Sequence, residues 1–362
     1  MVILDVKLHN IYNFNDFEIN FSFPKKIRDS IVGDEFLEGR ERFRYRKAIV
    51  LMGTNATGKT SLGRALLKIC TFCNSGNPAE LYDMVPDGKE GSFTIDLVNS
   101  GFVMHRVSCT ILSVNREIEV HYGSCEIQKL DSYEKCSGRI RADEIISDYS
   151  MLIKKIGKLD YKFAYPEIET SLRTGGVDKK ILLKVLKSVI KTLDPSFTEV
   201  VESKDLKDSF IIRRNGTEIV IQDGKILNRS VLSSGTAEGI DVAVFLAEIM
   251  SRMDGFYYCD EHFSFIQSDI EKRIFGIMMD HLGRDAQLIF TTHNTDMLDL
   301  NLPKHSFMFL RRDRQNHVDV ISASDILKRN TDSVKCAVEN DVFSSLPDDS
   351  SLDELEAGWR DE

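Results

Sequence analysis

A glycine-bracketed loop near the start of the chain carries the clearest chemical pattern in the sequence. Residues 50–62 are VLMGTNATGKTSL, and 53–60 match the pattern G-x-x-x-x-G-K-[ST]. Glycines let the backbone wrap around phosphates with successive N–H groups pointing at the anion, and the following helix adds the positive end of its dipole. The pattern therefore predicts a triphosphate site in which Lys59 contacts the β- and γ-phosphates and the Thr60 hydroxyl binds Mg²⁺. The predicted nucleotide-binding residues of this loop are Gly53, Asn55, Thr57, Gly58, Lys59, Thr60 and Ser61.

A pair of acids follows an apolar segment much later in the chain. Residues 255–262 are GFYYCDEH, so Asp260 and Glu261 stand where a buried strand is expected to end. At such a place an aspartate can hold Mg²⁺ through water, and a glutamate can polarise the attacking water. The alternative interpretation is a pair of acids that opens a helix.

A histidine ends the next apolar segment. Residues 288–296 are LIFTTHNTD, which predicts a strand followed directly by His293. That position suits contact with a γ-phosphate or with the attacking water. The alternative is a structural histidine at the end of a strand.

A serine–glycine motif, VLSSGTAEG at 231–239, opens a predicted helix. A hydroxyl and a glycine at a helix N-terminus, here Ser233 and Gly235, form an anion site. One subunit cannot place two phosphate-binding helix ends on a single γ-phosphate, whereas two subunits can. The motif therefore predicts a dimer in which each copy offers this helix end to the ATP of the other, and the alternative is a plain helix cap. The predicted apolar face of the helix comprises Val242, Phe245, Leu246, Ile249 and Met253.

The elements that must position these residues follow from hydrophobic periodicity. Alternating apolar and polar side chains predict strands within residues 2–23. The continuous apolar run 47–52 predicts a strand buried on both faces, with a helix over 60–73 after it. Residues 92–129 predict an antiparallel meander, because short strand patterns alternate there with turn residues.

The second half of the chain reads as helices followed by alternating helices and strands. Residues 143–194 predict helices, one of which ends at Pro195, and 209–221 predict a hairpin with Asn215-Gly216 in its turn. The alternation after residue 235 predicts a mainly parallel sheet. Its predicted members are helices 236–252 and 268–282 and strands 256–260, 286–291 and 306–310, and Ser268 with Glu271 is predicted to form a capping box. The helix before Pro195 carries Leu182, Leu186, Val189 and Leu193 on one face.

Composition places the chain among soluble globular proteins of one large α/β domain or two modest ones. It has 362 residues, of which 42% are hydrophobic and 29% charged. No run of 18 apolar residues and no signal-peptide pattern is present, so we expect no membrane association. Seven scattered cysteines predict free thiols in a reducing cytoplasm. Cys70 and Cys73 have C-x-x-C spacing without a second pair, which favours buried helix residues over a metal site.

The net charge of −10 is concentrated at one end of the chain. Residues 339–362 hold nine acids and one base, so the rest of the chain has no basic excess that would attract nucleic acid. Residues 25–47 hold eight bases against five acids, which indicates either a local basic patch or a solvated loop. Leu352, Leu355 and Trp359 are spaced i, i+3, i+7 in the acidic tail. They predict a helix that docks in a basic-rimmed groove of a partner, with a frayed solvated end as the alternative.

Taken together, these motifs resemble the ABC-type P-loop ATPase superfamily. The resemblance lies in the loop with asparagine at its third place, the Ser-x-Gly-Thr motif, Asp-Glu after an apolar strand, and TTHN, and it covers about residues 1–320. The branch it suggests contains RecF, the structural-maintenance-of-chromosomes (SMC) proteins and ATPases of bacterial phage defence such as OLD, Septu, PARIS and abortive-infection systems. It implies an α/β ATPase head with a mixed sheet, an antiparallel β-subdomain and an inserted helical lobe. The implied divisions are 1–142 with the P-loop and β-subdomain, 143–205 as the helical lobe, 206–325 as the second ATPase part, and 326–362 as an acidic tail.

Carried over to this sequence, the resemblance implies a role for each motif residue. It implies that Lys59 binds phosphate, that Thr60 and Asp260 bind Mg²⁺, and that Glu261 is the general base. It also implies that His293 is a switch that senses the γ-phosphate, and that Ser233 and Gly235 act on the nucleotide of the other subunit. The chain departs from the family after the acid pair, where HFSFIQ replaces an acidic-small-apolar turn. Gln128 is a poor match for the glutamine-loop metal ligand, and Tyr12 and Phe14 are alternatives for an aromatic that stacks on adenine.

No second catalytic pattern is apparent in the sequence, so we expect ATP hydrolysis to drive a conformational or assembly change. Three uses are compatible with that. The first is a phage-defence ATPase, dimeric or larger, that holds and releases an effector protein such as a nuclease or toxin when a phage protein or DNA is sensed. The second is a RecF- or SMC-like DNA-repair ATPase that clamps DNA. It is favoured by the basic residues at 42–47 and by Arg311, Arg312 and Arg314. The third, a subunit of a membrane transporter, is disfavoured by the non-standard signature and the N-terminal insertion.

Overall fold

The computed structural model describes most of the chain. Outside the described residues lie 28–29, 166–176, 204–208, 215, 223–224, 228, 230–231, 314, 330, 346–351, 353–354 and 356–362. The predicted α/β class, with a mixed sheet and an antiparallel β-subdomain, is confirmed by the strand order of the described residues.

The described strands and helices are numbered in chain order. The strands are β1 (Val2–His9), β2 (Phe17–Asn20), β3 (Phe36–Leu37), β4 (Arg40–Arg44), β5 (Ala48–Met52), β6 (Glu90–Val98), β7 (Val103–Leu112), β8 (Glu117–Glu126), β9 (Glu144–Ile145), β10 (Tyr161–Ala164), β11 (Phe197–Glu202), β12 (Ser209–Arg214), β13 (Thr217–Gln222), β14 (Lys225–Ile226), β15 (Phe256–Asp260), β16 (Gln287–Thr291), β17 (Phe307–Arg312) and β18 (Val318–Ser322). The helices are α1 (Lys59–Ser75), α2 (Ala79–Tyr82), α3 (Tyr133–Arg139), α4 (Met151–Ile156), α5 (Lys179–Leu193), α6 (Ser234–Met250), α7 (Ser268–His281), α8 (Ala323–Ile326) and α9 (Val334–Glu339), with 3₁₀ turns at Thr295–Asp299 and Lys304–Ser306.

The central sheet has the strand order β10-β15-β16-β5-β17-β18, and all its neighbours are parallel except the β17–β18 pair. Every residue of β5, β15 and β16 is buried, as expected for parallel strands covered on both faces. In the registers of these strands Asp260 pairs with Thr291, and Thr291 pairs with Leu51. The carboxyl ends of the three strands therefore meet at one edge of the sheet, which is where the polar motifs follow in the sequence.

The predicted meander is confirmed as part of a second sheet, with strand order β2-β1-β6-β7-β8-β9 and antiparallel pairing throughout. Its apolar side packs on α1, because Ile3 and Ile95 share one core with Leu62 and Ile69 of that helix. Helix α1 is thus held between this sheet and the central sheet.

The segment 143–194 contains more than the helices that its sequence predicts. Besides α4 and α5, it contributes β10, which pairs in parallel with β15. A four-residue strand is too short to show a hydrophobic periodicity in the sequence. Its backbone hydrogen-bond partners belong to a strand almost a hundred residues later in the chain. The predicted hairpin is confirmed as β12–β13 within a small sheet of β11 to β14, while Asn215 of its turn lies outside the described residues. Gly216 has a φ of +84°, which suits glycine in that turn.

Helix α6 does not have the single apolar face that its sequence predicts. All its residues from Thr236 to Ile249 are buried, and Met253 lies beyond its end with 36% of its surface exposed. The helix is enclosed because α5 and the β11–β14 sheet share one core with it and with the central sheet. Three buried acids on it are compensated, Glu248 by Lys162 at 2.7 Å, Asp241 by Arg229 at 3.4 Å, and Glu238 by two backbone N–H groups.

Cys70 and Cys73 are buried free thiols on α1, in agreement with the interpretation as core residues. Among the described residues no group of three or more His, Cys, Asp or Glu side chains is placed to hold a metal ion. None of the described helices is long and apolar enough to cross a membrane.

Candidate nucleotide-binding site

The predicted phosphate-binding loop lies between β5 and α1, as its sequence requires. Gly58 precedes the helix with a φ of +108°, and a Cβ there would come within 2.9 Å of the Phe14 ring. Only glycine fits both conditions. Thr57 closes the loop by donating from its hydroxyl to the Thr54 carbonyl at 2.7 Å. The first turn of α1 is anchored to β15, because the Tyr258 hydroxyl donates to the Lys59 carbonyl at 2.6 Å.

Ala56, at the exposed tip of the loop, adopts a backbone conformation that alanine disfavours. Its φ is +63°, in the left-handed region, where a Cβ costs roughly 1–2 kcal/mol. Asn55 beside it is also exposed. The loop thus holds a strained residue at the point where its backbone turns.

We expect Ala56→Gly to relieve this strain. Glycine adopts the conformation freely but adds unfolded-state entropy, so the net gain in unfolding free energy is about 0.5–1 kcal/mol. The measurement is urea denaturation, with the exposed Ala79, whose φ is not positive, changed to glycine as the matched control. If Ala56→Gly loses as much unfolding free energy as the control substitution, the backbone at Ala56 is not strained.

The Lys59 ammonium group is buried in the loop that precedes it. It donates to the carbonyls of Gly53 and Thr54 at 2.6 and 3.1 Å, and it forms an ion pair with Glu261 at 2.9 Å. Lys59 is only 4% exposed, whereas the Glu261 side chain is 24% exposed. The predicted phosphate ligand and the predicted base are therefore brought into direct contact.

Thr60 and Asp260 are also in contact, 200 positions apart in the chain. The Thr60 hydroxyl donates to Asp260 Oδ2 at 2.6 Å, and the Thr291 hydroxyl donates to Asp260 Oδ1 at 2.7 Å. Burial raises the pKa of the Asp260 carboxyl, and the two hydroxyl donors act in the opposite direction. Hydroxyl and carboxylate oxygens are the ligands that Mg²⁺ prefers, so the donor set at this point fits the predicted ion.

Glu261 is held in an unfavourable backbone conformation by β16. Its φ is +43°, and its N–H donates to the backbone carbonyl of Thr291 at 3.2 Å and to the hydroxyl at 3.0 Å. Strain of this kind persists only where the surroundings over-determine it. Glu261 and the exposed His293 both line a cavity of about 230 Å³, so the structure brings the predicted switch residue to the same opening as the predicted base.

The backbone on both sides of His293 is fixed by one buried carboxylate, Glu271. Its Oε1 accepts from the Thr292 hydroxyl at 3.1 Å, and its Oε2 accepts from the Asn294 amide at 2.6 Å. Burial raises the pKa of Glu271, and these donors oppose the shift. The predicted capping box is therefore wrong: the N-cap of α7 is Gln267, without a side-chain cap, since Glu271 is engaged with the strand end and Ser268 accepts from the Asn294 amide at 3.0 Å.

Ser233 is the N-cap of α6, accepting from the Thr236 N–H at 3.2 Å, and its role in trans stays a prediction. Gly235 lies against the loop after the acid pair, where an added Cβ would be 2.9 Å from the Phe265 carbonyl. The Glu238 carboxylate ties the same loop to α6 by accepting from the N–H groups of Ser264 and Phe265 at 3.0 and 2.8 Å. Within the described part of one chain, no hydrogen bond or ion pair joins Ser233 or Gly235 to the P-loop. The ring of Phe265 is 68% exposed beside them.

Two aromatic residues were alternatives for stacking on adenine. Phe14 is fully buried beneath Gly58, so this alternative is wrong, because its ring is part of the loop's support. Tyr12 is half-buried, and its role stays a prediction. Gln128 is exposed in the turn after β8, where its N–H donates to Asp131.

The basic segment 25–47 contributes less exposed charge than its composition indicates. Arg46 and Lys47 are buried, and Arg46 donates to the carbonyls of Asn20, Ser22 and His305. Arg311 is paired with Asp319 at 2.5 Å. Arg28 and Arg314 lie outside the described residues.

The sequence predicts no role at the site for Thr291, Glu271 or Glu238, each of which positions a motif residue. Thr291 had a usable signal, because a hydroxyl at the end of the strand next to Asp260 faces the same edge of a parallel sheet. The two glutamates had none, since their partners are backbone groups and side chains brought near only by the tertiary fold.

No protein-family model and no curated protein matches the chain. Solved structures with a similar fold do exist, and they agree with this architecture. Among solved structures, an SMC head bound to the C-terminal winged-helix domain of ScpA has a TM-score of 0.55 at 12% identity, covering 89% of this chain and 98% of that one. An SMC head with an extended coiled coil, bound to the C-terminal domain of ScpA from Pyrococcus furiosus, has a TM-score of 0.51 at 11% identity, covering 93% and 98%. A third SMC head, from Pyrococcus yayanosii, has a TM-score of 0.51 at 9% identity, covering 90% and 98%. The chain therefore has the fold of these SMC heads.

Proposed function

We propose that this protein binds and hydrolyses ATP with Mg²⁺, and that two copies close around the nucleotide. The observation that carries the proposal is the double contact Lys59–Glu261 and Thr60–Asp260, at 2.9 and 2.6 Å. It brings the loop after β5 and the acids after β15 together at the carboxyl edge of one parallel sheet. In open α/β sheets, ligands bind at that edge.

Each residue of this cluster has a defined task in the proposed reaction. The loop N–H groups and Lys59 bind the phosphates, and Thr60 with Asp260 would hold the ion, which neutralises developing phosphate charge. Glu261 accepts the proton of the attacking water, for which it must leave its ion pair with Lys59. His293 faces the same cavity and is assigned to the γ-phosphate end of the nucleotide.

The second copy supplies Ser233 and Gly235. These residues form the start of a 17-residue helix, α6, whose N–H groups can receive an anion. Within the described residues of one chain, Gly235 lies against the loop at 262–267, and no hydrogen bond or ion pair joins Ser233 or Gly235 to the P-loop. Closure of a dimer over ATP would place one copy's helix start and the other copy's base on the same phosphate.

We further propose that hydrolysis controls a separate effector, such as a nuclease or toxin, in antiphage defence. The support is the resemblance of the LSSGT and FTTHNTDMLD segments to ATPases of that branch, together with a short insert in place of a long coiled coil. The second candidate is a DNA clamp, which the SMC-head fold favours. The burial of Arg46 and Lys47 and the pairing of Arg311 weigh against it.

A mixing experiment tests the shared site. Ser233→Asp keeps the helix cap but puts a negative charge toward the phosphate, and Ser233→Asn is the matched neutral cap. We expect Ser233→Asp to abolish ATP hydrolysis and Ser233→Asn to retain most of it. Mixing inactive Lys59→Ala and Ser233→Asp chains should restore about a quarter of the activity, since random pairing leaves one intact site in each mixed dimer. No restoration, with full activity in dilute single chains, would overturn the dimer proposal.

A salt titration separates the two candidate uses. A DNA clamp should bind DNA in the presence of ATP with an affinity that falls steeply between 50 and 200 mM salt. We expect no such binding from the defence ATPase. Strong ATP-dependent DNA binding would make the second candidate the better one.

We expect Glu271→Ala to slow hydrolysis by about ten- to hundredfold while leaving ATP affinity within twofold, because His293 loses the anchors on both sides. Glu271→Gln keeps one acceptor oxygen and should restore most of the rate. The measurement is single-turnover hydrolysis beside nucleotide titration, with thermal melting to show that both variants are folded. An equal loss in binding and rate would indicate a purely structural role.

A further inference from the structure

An apolar groove of about 450 Å³ lies between α5 and α7, away from the nucleotide site. Its floor is formed by α6, and its walls by the two outer helices. The apolar lining includes Val185, Leu246, Met250, Ile270, Ile274 and Ile277. A groove of this composition suits the apolar face of a helix.

The charges around this groove are mainly positive. Lys184 and Arg273 stand at its rim and are exposed. Asp269, also at the rim, is paired with Lys272 at 3.0 Å. Helix α5 carries five lysines and no acid, and within the described part of the chain only Lys179 among them makes an ion pair. The groove therefore presents an uncompensated basic rim.

Residues 348–362 have the complementary chemistry. They contain seven acids and one base, with Leu352, Leu355 and Trp359 spaced for one helix face. Leu352 and Leu355 are 66% and 59% exposed in the structure of the single chain. Two large apolar side chains thus lack cover in one copy, while an apolar groove of opposite charge is open.

We propose that residues 348–362 of one copy dock as a helix in the α5–α7 groove of a second copy. Leu352, Leu355 and Trp359 fill the groove, and the flanking acids pair with Lys184 and Arg273. The docked segment comes from a different copy than the groove, because Leu352 and Leu355 are exposed in the structure of a single copy. This contact needs no nucleotide and is separate from the ATP-dependent closure, so it can hold two copies together between rounds of hydrolysis.

The single tryptophan makes the test direct, since Trp359 fluorescence reports this segment alone. The full chain without nucleotide is diluted across its self-association range, with mass photometry in parallel. We expect blue-shifted emission that turns red on dilution as dimers dissociate. Arg273→Glu should give red emission and monomers at every concentration, and adding Glu356→Arg to it should restore the blue shift. Lys129→Glu, an exposed charge reversal in the turn after β8, is the control and should behave as the wild type.

Each other outcome overturns the proposal. Red emission at all concentrations of the wild type shows that the segment does not dock. Blue emission that persists in monomers places it on its own chain. Blue emission unchanged by Arg273→Glu places it on another surface of this chain.

Discussion

The Glu261→Gln chain is expected to bind ATP and remain in a long-lived two-copy assembly while releasing almost no phosphate. Glutamine preserves the shape of the side chain but cannot accept the proton of the attacking water, and loss of a general base slows such reactions by about 10²–10⁴-fold. Because intact ATP bridges both copies in the proposed closed state, slow hydrolysis keeps the assembly populated. The Lys59 ammonium also loses its partner at 2.9 Å, which frees it for phosphate.

The measurement is mass photometry with ATP and Mg²⁺ beside a phosphate-release assay. Glu18→Gln, an exposed glutamate paired with Lys7 on the antiparallel sheet, is the matched control and should change neither reading. Because the proposed tail contact also yields dimers, both chains carry Arg273→Glu, which removes that contact. If Glu261→Gln releases phosphate at the wild-type rate, Glu261 is not the base. If hydrolysis stops but no dimer accumulates, ATP does not join two copies.

The parts of the site that the sequence predicts are those encoded by local pattern. The all-apolar β5, the glycines of the loop and the helix after it follow one another without interruption within residues 48–75, so their order alone predicts a phosphate loop. The strands β15 and β16 are equally continuous, and polar residues mark their ends. Since parallel strands align their carboxyl ends, the meeting of Thr60 with Asp260 follows from topology.

The parts that escaped prediction depend on contacts between distant segments. Strand β10 is defined by pairing with β15, and α6 is buried all round because other elements cover its second face. Glu271 illustrates the same limit in a single residue. Its spacing from Ser268 fits a capping box, but its carboxylate accepts instead from the half-buried amide of Asn294 and the buried hydroxyl of Thr292. A local rule fails here because the tertiary structure offers better donors.

Lys59→Ala is expected to lose nucleotide binding altogether at ordinary concentrations. A charged donor to a phosphate contributes about 1.5–3 kcal/mol for each hydrogen bond, so removal of two such bonds weakens affinity by on the order of a hundredfold or more. In the structure the ammonium group is bound by Gly53 and Thr54, which shows that it lies within the curve of the loop and not in solvent. Alanine cannot supply this charge, and Glu261 is left as an unneutralised negative group beside the phosphates.

Titration with a fluorescent ATP analogue measures the effect, and Lys7→Ala on the antiparallel sheet is the control. Lys7 pairs with the exposed Glu18 at 3.3 Å and should leave affinity within twofold of the wild type. Removing Glu261 as well, in Lys59→Ala with Glu261→Gln, should recover part of the lost affinity, because the repulsion between carboxylate and phosphate disappears. That recovery distinguishes electrostatic loss from collapse of the loop, which the second substitution could not repair. Tight binding by Lys59→Ala alone would place the nucleotide somewhere other than this loop.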